Sequence, residues 1–283
     1  MPVYSHSRLS TFEQCPQRYK FQYLDKLPKP QAMSAEAFAG SRVHEALQKL
    51  YEDLKYGKLN SIEDLLAYYY DQWRRNWGEG VRIVREGLAE GHYRDYGRQC
   101  IQNYYGRYYP FDQSLTLKTE FHLVFTLGCE TRYKVQGYID RLARRPDGVY
   151  EIHDYKTSGS LPIQSQADAD RQLALYQIGL KSCWNDVDRV ELIWHYVGAD
   201  STLVSRRSPE QLEELSRETA SLIDEIERSQ NFAPIKSALC EWCEYQPVCP
   251  LWKHVIAVQE LPPETMNADE GVQLVNAYAG IQA

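Results

Sequence analysis

The 283-residue chain lacks any apolar run long enough to cross a membrane. A transmembrane helix needs about 20 consecutive apolar residues, and no such stretch occurs. The segment Met1–Arg8 also lacks the apolar stretch of a secretory signal peptide. We therefore expect a cytoplasmic protein in a reducing compartment, with no membrane partner.

The number and spacing of the cysteines argue against a disulfide framework. The count of seven is odd, and the chain is much longer than small disulfide-stapled domains. Three of the thiols stand close together as Cys240-x2-Cys243-x5-Cys249, and Cys15, which like Cys249 precedes a proline, is the best fourth. A set of four thiolates serves a structural zinc and an iron–sulfur cluster equally well. The remaining cysteines are expected to be small buried hydrophobes: Cys100, Cys129 and Cys183.

Acidic residues outnumber basic ones, which gives a net charge of −7 at pH 7. Much of the acid is concentrated near the C-terminus, because residues 208–230 alone carry seven acids and two bases. The middle of the chain is richer in arginine and tyrosine, which can pair with phosphate and stack on unpaired bases. This region is a candidate DNA track, although a solvated helical face over a tyrosine core explains it equally well. The arginines are Arg74, Arg75, Arg82, Arg85, Arg94, Arg98 and Arg107.

The candidate catalytic motif consists of Asp140 followed by Asp154-Tyr155-Lys156, on two strand-like segments. Side chains alternate along a strand, so Asp154 and Lys156 point the same way, about 7 Å apart. Paired carboxylates hold a hard divalent cation, and cation and ammonium together suit phosphodiester hydrolysis. Aspartates near turns are common, however, so these residues alone do not define a site.

Two further features strengthen this interpretation. Gln172 and Tyr176 are four residues apart in a helical stretch, so they share one helix face. His44 lies in an upstream helix beside an apolar stripe, where a lone histidine is usually structural.

The order of these residues resembles that of the PD-(D/E)XK nucleases, in particular their RecB-like branch. The matching motifs are His44, Gly137-x-x-Asp140, Asp154-x-Lys156 and Gln172-x-x-x-Tyr176. The resemblance runs from Ser5 to about Lys253. It implies an α/β fold, with a restriction-endonuclease-like core whose mixed central sheet is flanked by helices. It also implies an active site at the ends of the central strands.

The resemblance assigns a role to each motif residue. The metal ligands would be His44, Asp140, Asp154 and the carbonyl group of Tyr155. Lys156 would position the attacking water, and Gln172 and Tyr176 would hold substrate or brace Lys156. The cation is expected to be Mg²⁺ or Mn²⁺, and the histidine ligand favours Mn²⁺.

The resemblance also bears on the cysteines. AddB-type nucleases and the nuclease of CRISPR adaptation, which this chain resembles, have one cysteine before the nuclease core and three after it, around a 4Fe-4S cluster. The resemblance therefore favours a 4Fe-4S cluster over zinc. The cluster ligands would be Cys15, Cys240, Cys243 and Cys249. Such a site would tie the N-terminal helix to the C-terminal segment and remove the closure entropy of a very long loop.

A single nuclease domain is expected over residues 1–283. Its parts are N-terminal helices at 1–58, a helical insertion at 59–110, an α/β core at 111–235, a cysteine segment at 236–259 and a tail at 260–283. The tail is a candidate for binding a protein partner, with a loosely held helix as the alternative. Strands are expected at about 115–127, 133–143, 149–157, 189–197 and 202–205. Helices are expected at about 7–24, 40–55 and 168–182, in two or three segments between 62 and 109 broken near 78–80 and 91, and from a Ser208 cap onward.

Three other ionisable residues lie near the motifs. His153 directly precedes Asp154 in the strand, so its side chain faces the opposite way, and it is expected to be structural. His195 has no obvious partner. Glu120, at the start of the first strand, could lie near the metal, but a surface or strand-pairing role is favoured.

The expected function is a metal-dependent DNA nuclease, an exonuclease acting on single-stranded ends in DNA repair or recombination. One alternative is a CRISPR-adaptation nuclease that trims integration precursors. Another is a DNA-binding subunit of a helicase–nuclease complex.

Overall fold

The computed structural model describes residues 2–28, 33–128 and 132–252. The expected tail at 260–283 and the end of the cysteine segment lie outside these residues. The helices are α1 (His6–Gln14), α2 (Pro16–Tyr19), α3 (Ala35–Lys55), α4 (Ile62–Asn76), α5 (Glu90–Tyr108), α6 (Gln164–Ala169), α7 (Arg171–Cys183) and α8 (Pro209–Arg228). The strands are β1 (Met33–Ser34), β2 (Val81–Arg82), β3 (Leu115–Thr126), β4 (Lys134–Arg144), β5 (Tyr150–Lys156), β6 (Val190–Tyr196) and β7 (Ser201–Ser205).

The central sheet has five strands in the order β3-β4-β5-β6-β7. Strands β5 and β6 run parallel, whereas the other neighbours are antiparallel. The mixed α/β fold expected from the sequence is therefore confirmed, and the five strand positions agree with the expectation to within a residue or two.

Helices cover both faces of this sheet. On β5, Tyr155 points toward α5, where its ring meets Tyr104 edge-on at 5.3 Å. The preceding residue, Asp154, points toward α7, where it accepts a hydrogen bond from Gln172. Successive strand residues face opposite sides. The core formed by α3, α4 and α5 thus lies on one face of the sheet, and α7 lies on the other.

The helical expectations near the N-terminus need correction. The helix expected at 7–24 is interrupted at Cys15, because Pro16 cannot donate a backbone hydrogen bond and begins the new helix α2. Helix α3 begins earlier than expected, where the Ser34 hydroxyl accepts a hydrogen bond from Ala37 N. The breaks expected near residues 78–80 and 91 are both found, since the chain leaves the helical conformation after Asn76 and α5 begins at Glu90.

The described residues form two compact units. One contains residues 2–9 and 33–228, and the other contains residues 10–28 and 229–252. The first unit holds the sheet and the second holds the candidate cysteine site. The single nuclease domain expected from the sequence stays a prediction.

None of the helices in the described ranges combines the length and the apolar character needed to span a bilayer.

Candidate active site

The structure brings the motif residues together from four elements in and around the sheet. His44 lies in α3, Asp140 in β4, and Asp154, Tyr155 and Lys156 in β5. Gln172 and Tyr176 lie in the first turns of α7.

A possible cation site lies where α3 meets the sheet. Among the described residues, one group of histidine and acidic side chains has ligand atoms all within 4.8 Å of one another: His44, Glu120 and Asp140. The Tyr155 backbone joins it. His44 Nε2 donates to the Tyr155 carbonyl at 2.7 Å, and Tyr155 N donates to Asp140 Oδ2 at 2.8 Å.

Glu120 reaches this group because β3 is irregular there. Its φ is +44°, a left-handed conformation that is rare for a residue with a side chain. The flanking residues, Thr119 and Phe121, would share a face in a regular strand. Instead, the Thr119 hydroxyl donates to Glu52 of α3, while the Phe121 ring meets Trp184 beyond α7. Glu120 thus lies near the candidate cation site, the position that the sequence analysis considered but did not favour.

On the α7 side, Gln172 links the acid and the amine of the Asp154-x-Lys156 motif. Its Nε2 donates to Asp154 Oδ1 at 2.9 Å, and its Oε1 accepts from Lys156 Nζ at 3.0 Å. Lys156 Nζ also forms an ion pair with Asp154 Oδ2 at 2.8 Å. The Asp170 carboxylate caps α7 by accepting from Gln172 N, which fixes the start of the helix at this height.

The electrostatics of the site favour a bound cation. Burial, together with the charge of Asp154, raises the pKa of Asp140 well above its usual range. Burial likewise raises the pKa of Glu120. For Lys156, burial opposes the charged form, but attraction to Asp154 outweighs it and the pKa rises. The donor set of carboxylates, one carbonyl oxygen and one imidazole fits Mg²⁺ or Mn²⁺.

Tyr176 contacts other residues of the site. Its side chain is buried at 6% exposure, hydrogen-bonds with Gln172 and lies against the backbone of Gly137. A bracing role fits this position better than direct contact with substrate.

His153 and His195 form a buried polar network behind the site. Arg141 Nη2 donates to His153 Nε2 at 2.7 Å, and His153 Nδ1 lies 2.8 Å from His195 Nε2. His195 Nδ1 also lies 3.0 Å from the Tyr108 hydroxyl. The buried position of His153 agrees with the structural role expected, whereas His195 has partners that the sequence did not reveal.

In the second unit, four thiols line one small cavity, and they are Cys15, Cys240, Cys243 and Cys249. Burial raises the pKa of Cys243 and of Cys249. An ion pair of 3.0 Å between Arg18 and Glu244 holds the two chain segments beside the cavity. The four donors therefore fit a metal centre.

The other cysteines differ from one another. Cys100 is buried, as expected, but Cys183 is exposed, so the expectation of a buried residue is wrong there. Cys183 is the last residue of α7, where the helix reaches solvent. Cys129 lies outside the described residues.

The arginines of the candidate DNA track are mostly ion-paired. Five of the seven have a carboxylate partner, and these are Arg74, Arg75, Arg85, Arg98 and Arg107. Local pairing reduces the positive potential that a broad phosphate-binding surface would need.

The site is thus that of a divalent-cation hydrolase, with two acids and a lysine on adjoining strands. The sequence profile of the PD-(D/E)XK nuclease superfamily matches residues 3–250. The chain belongs to this superfamily of metal-dependent nucleases.

One solved structure agrees with this assignment at the level of the fold. The crystal structure of a candidate exonuclease from Eubacterium rectale aligns with a TM-score of 0.51 and 12% identity, covering 86% of this chain and 87% of that chain. The crystal structure of SSO0001 aligns with a TM-score of 0.35 and 15% identity, covering 87% of this chain and 95% of that chain. No curated protein sequence gives a significant match.

Proposed function

We propose that the chain is a RecB-like deoxyribonuclease, an exonuclease that acts on single-stranded DNA ends in DNA repair or recombination. The observation that carries the proposal is the group formed by the α3 histidine, Glu120 and the β4 aspartate, next to the Asp154–Lys156 pair of β5. A binding subunit has no need of an intact acid–acid–lysine set.

The proposed site would hold Mg²⁺ or Mn²⁺ through His44, Asp140, Asp154 and the Tyr155 carbonyl, with Glu120 added. A cation held by these residues would polarise the scissile phosphate and lower the pKa of a bound water, as such ions usually do.

Lys156 supplies the remaining positive charge. An ammonium group has three N–H donors. Two of these donors are directed at Asp154 and Gln172. Among the described residues, the third donor remains to orient a water molecule or a phosphate oxygen. Gln172 holds this ammonium in place, so it acts as a positioning residue together with Tyr176.

Degradation of an end-labelled single-stranded oligonucleotide in Mn²⁺ tests the proposal. We expect shortening from one end, which EDTA and Asp154→Asn both abolish. Asp71→Asn is a matched control, because this carboxylate pairs with surface arginines on α4.

The same assay distinguishes the proposed exonuclease from the two alternative functions. Binding of the oligonucleotide without cleavage would overturn the proposal in favour of a DNA-binding subunit. Trimming that stops at one defined length would instead indicate a CRISPR-adaptation nuclease.

For the second unit, we propose a 4Fe-4S cluster on the four thiols that line its cavity, as the resemblance implies. Protein purified without oxygen should be brown and contain about four iron atoms per chain. Cys240→Ser should lose this colour, whereas Cys183→Ser should keep it. Colourless protein with one zinc per chain would contradict the cluster and leave the nuclease proposal unaffected.

A further inference from the structure

A second cavity adjoins the candidate cation site. Its volume is about 870 Å³, within the range of about 300–1,000 Å³ typical of ligand pockets. Glu36, Ala37 and Thr157 line both this cavity and the neighbouring one, which contains His44 and Glu120. A DNA strand whose phosphate lies at the cation site would therefore have this cavity within reach.

One wall of the cavity is an aromatic ring fixed to the active-site strand. The Tyr96 hydroxyl donates to the Thr157 carbonyl at 2.6 Å, and Thr157 directly follows Lys156. Gly198 makes room for this contact, because a Cβ atom there would overlap the Tyr96 hydroxyl. The ring remains 38% exposed, so it presents a rigid stacking surface beside the site.

The charged groups of the cavity compensate one another. The Glu36 carboxylate accepts from the Tyr93 hydroxyl at 3.1 Å and lies 3.6 Å from Arg85 Nε. A phosphate would need an excess of positive charge, which this arrangement does not offer. Aromatic and aliphatic walls instead suit the flat, weakly polar surface of a base.

Serine hydroxyl groups contribute to the polar edge of the cavity, and two of them also form hydrogen bonds within the protein. Ser34, Ser158 and Ser160 line it. A hydroxyl donates and accepts, so it can pair with the edge of any base and selects none strongly.

We propose that this cavity binds one unpaired nucleobase of the DNA strand, stacked on Tyr96, next to the scissile phosphate. This inference rests on the proposed nuclease function and deepens it. A base can enter such a cavity only when it has left the duplex stack. The substrate must therefore be single-stranded at this position, with little preference for its sequence.

The test uses single-stranded oligonucleotides with one abasic site moved stepwise along the strand. Cleavage in Mn²⁺ should fall about tenfold when the abasic site occupies one fixed distance from the scissile bond. Tyr96→Leu should slow cleavage of the intact strand by a similar factor and remove this position dependence. Tyr96→Phe, which keeps the ring, should retain the dependence.

Tyr56→Leu is the matched control, since Tyr56 is 90% exposed and lines neither cavity. It should cleave like the wild type. Thermal unfolding checks that Tyr96→Leu is folded.

Two results would overturn the inference while the nuclease proposal stands. One is wild-type cleavage that is indifferent to the abasic position, and the other is a folded Tyr96→Leu protein with wild-type cleavage. If the wild type does not cleave DNA, the nuclease proposal itself fails, and fluorescence of 2-aminopurine oligonucleotides then decides. Quenching that depends on Tyr96 supports the base pocket, and unchanged fluorescence contradicts it.

Discussion

The ring of Tyr176 lies against the backbone of Gly137 so closely that any side chain at that position would overlap it. This contact seats α7 on β4. It explains in steric terms why the Gly-x-x-Asp motif begins with glycine: the helix that carries Gln172 can approach Asp154 and Lys156 only if β4 is bare there.

Gly137→Ala should therefore destabilise the protein. Overpacking a buried contact lowers the free energy of unfolding by about 1–3 kcal/mol, and the displaced Tyr176 should also slow cleavage. Thermal or denaturant unfolding measures the effect. Gly106→Ala is the control, because open space surrounds that position in α5. Equal stability of the two variants would contradict the steric argument.

Lys156→Ala should reduce turnover at least about a hundredfold while leaving cation affinity nearly unchanged. The ammonium orients the nucleophile in this account, whereas the carboxylates hold the ion. Turnover is measured with a labelled oligonucleotide, and Mn²⁺ affinity by titration calorimetry. The exposed Lys118 gives the control variant Lys118→Ala. Unchanged turnover in Lys156→Ala would refute this role.

Glu120→Gln should weaken Mn²⁺ binding by about tenfold, since a carboxylate that contributes to a metal site is replaced by a neutral amide. Calorimetry without DNA reads this effect independently of catalysis. Glu45→Gln removes the same charge from the same cavity but from outside the group of three ligand atoms. If the two variants bind Mn²⁺ equally well, Glu120 does not contribute to the cation site.

The buried histidine pair predicts a loss of stability in acid. Burial and the charge of Arg141 lower the pKa of His153 well below the ordinary 6.5. Burial, together with the nearby His153, Arg141 and Arg107, likewise lowers the pKa of His195. The unfolded chain takes up protons below about pH 6.5, while the folded pair stays neutral. Stability from this pair is thus complete above that pH and falls as the pH decreases.

Unfolding of His195→Gln compared with the wild type isolates this contribution. Below pH 6.5, the pH dependence of the unfolding free energy should be shallower in the variant by up to about 1.4 kcal/mol per pH unit. The raised pKa of Asp140 acts in the opposite direction but is common to both proteins. The exposed His122 supplies the control, and His122→Gln should keep the wild-type slope. Parallel slopes for His195→Gln and the wild type would contradict the prediction.

The strands and the acid–lysine pair could be predicted because their signals are local. Alternation along β5 places Asp154 and Lys156 on one side, and the Ser208-Pro209 start of α8 needs only neighbouring residues. The position of Gln172 followed from helical spacing and the order of the motifs.

Other features depend on contacts that the sequence does not display. Glu120 reaches the site because its backbone adopts a left-handed conformation within β3. The residue types around it do not indicate this conformation. His195 finds its partner across the parallel β5–β6 ladder, forty-two residues away from His153. The cavity beside Tyr96 arises only when α3, α5 and the loop after β5 meet.

The central claim is that one divalent cation lies between the α3 histidine and the two strand aspartates. Anomalous diffraction from crystals of Lys156→Ala grown with Mn²⁺ and a short single-stranded oligonucleotide tests it directly. The account predicts one manganese peak in contact with His44, Asp140 and Asp154, with a phosphate oxygen beside it. Manganese bound elsewhere, with these three side chains bare and the DNA phosphate distant, would contradict it.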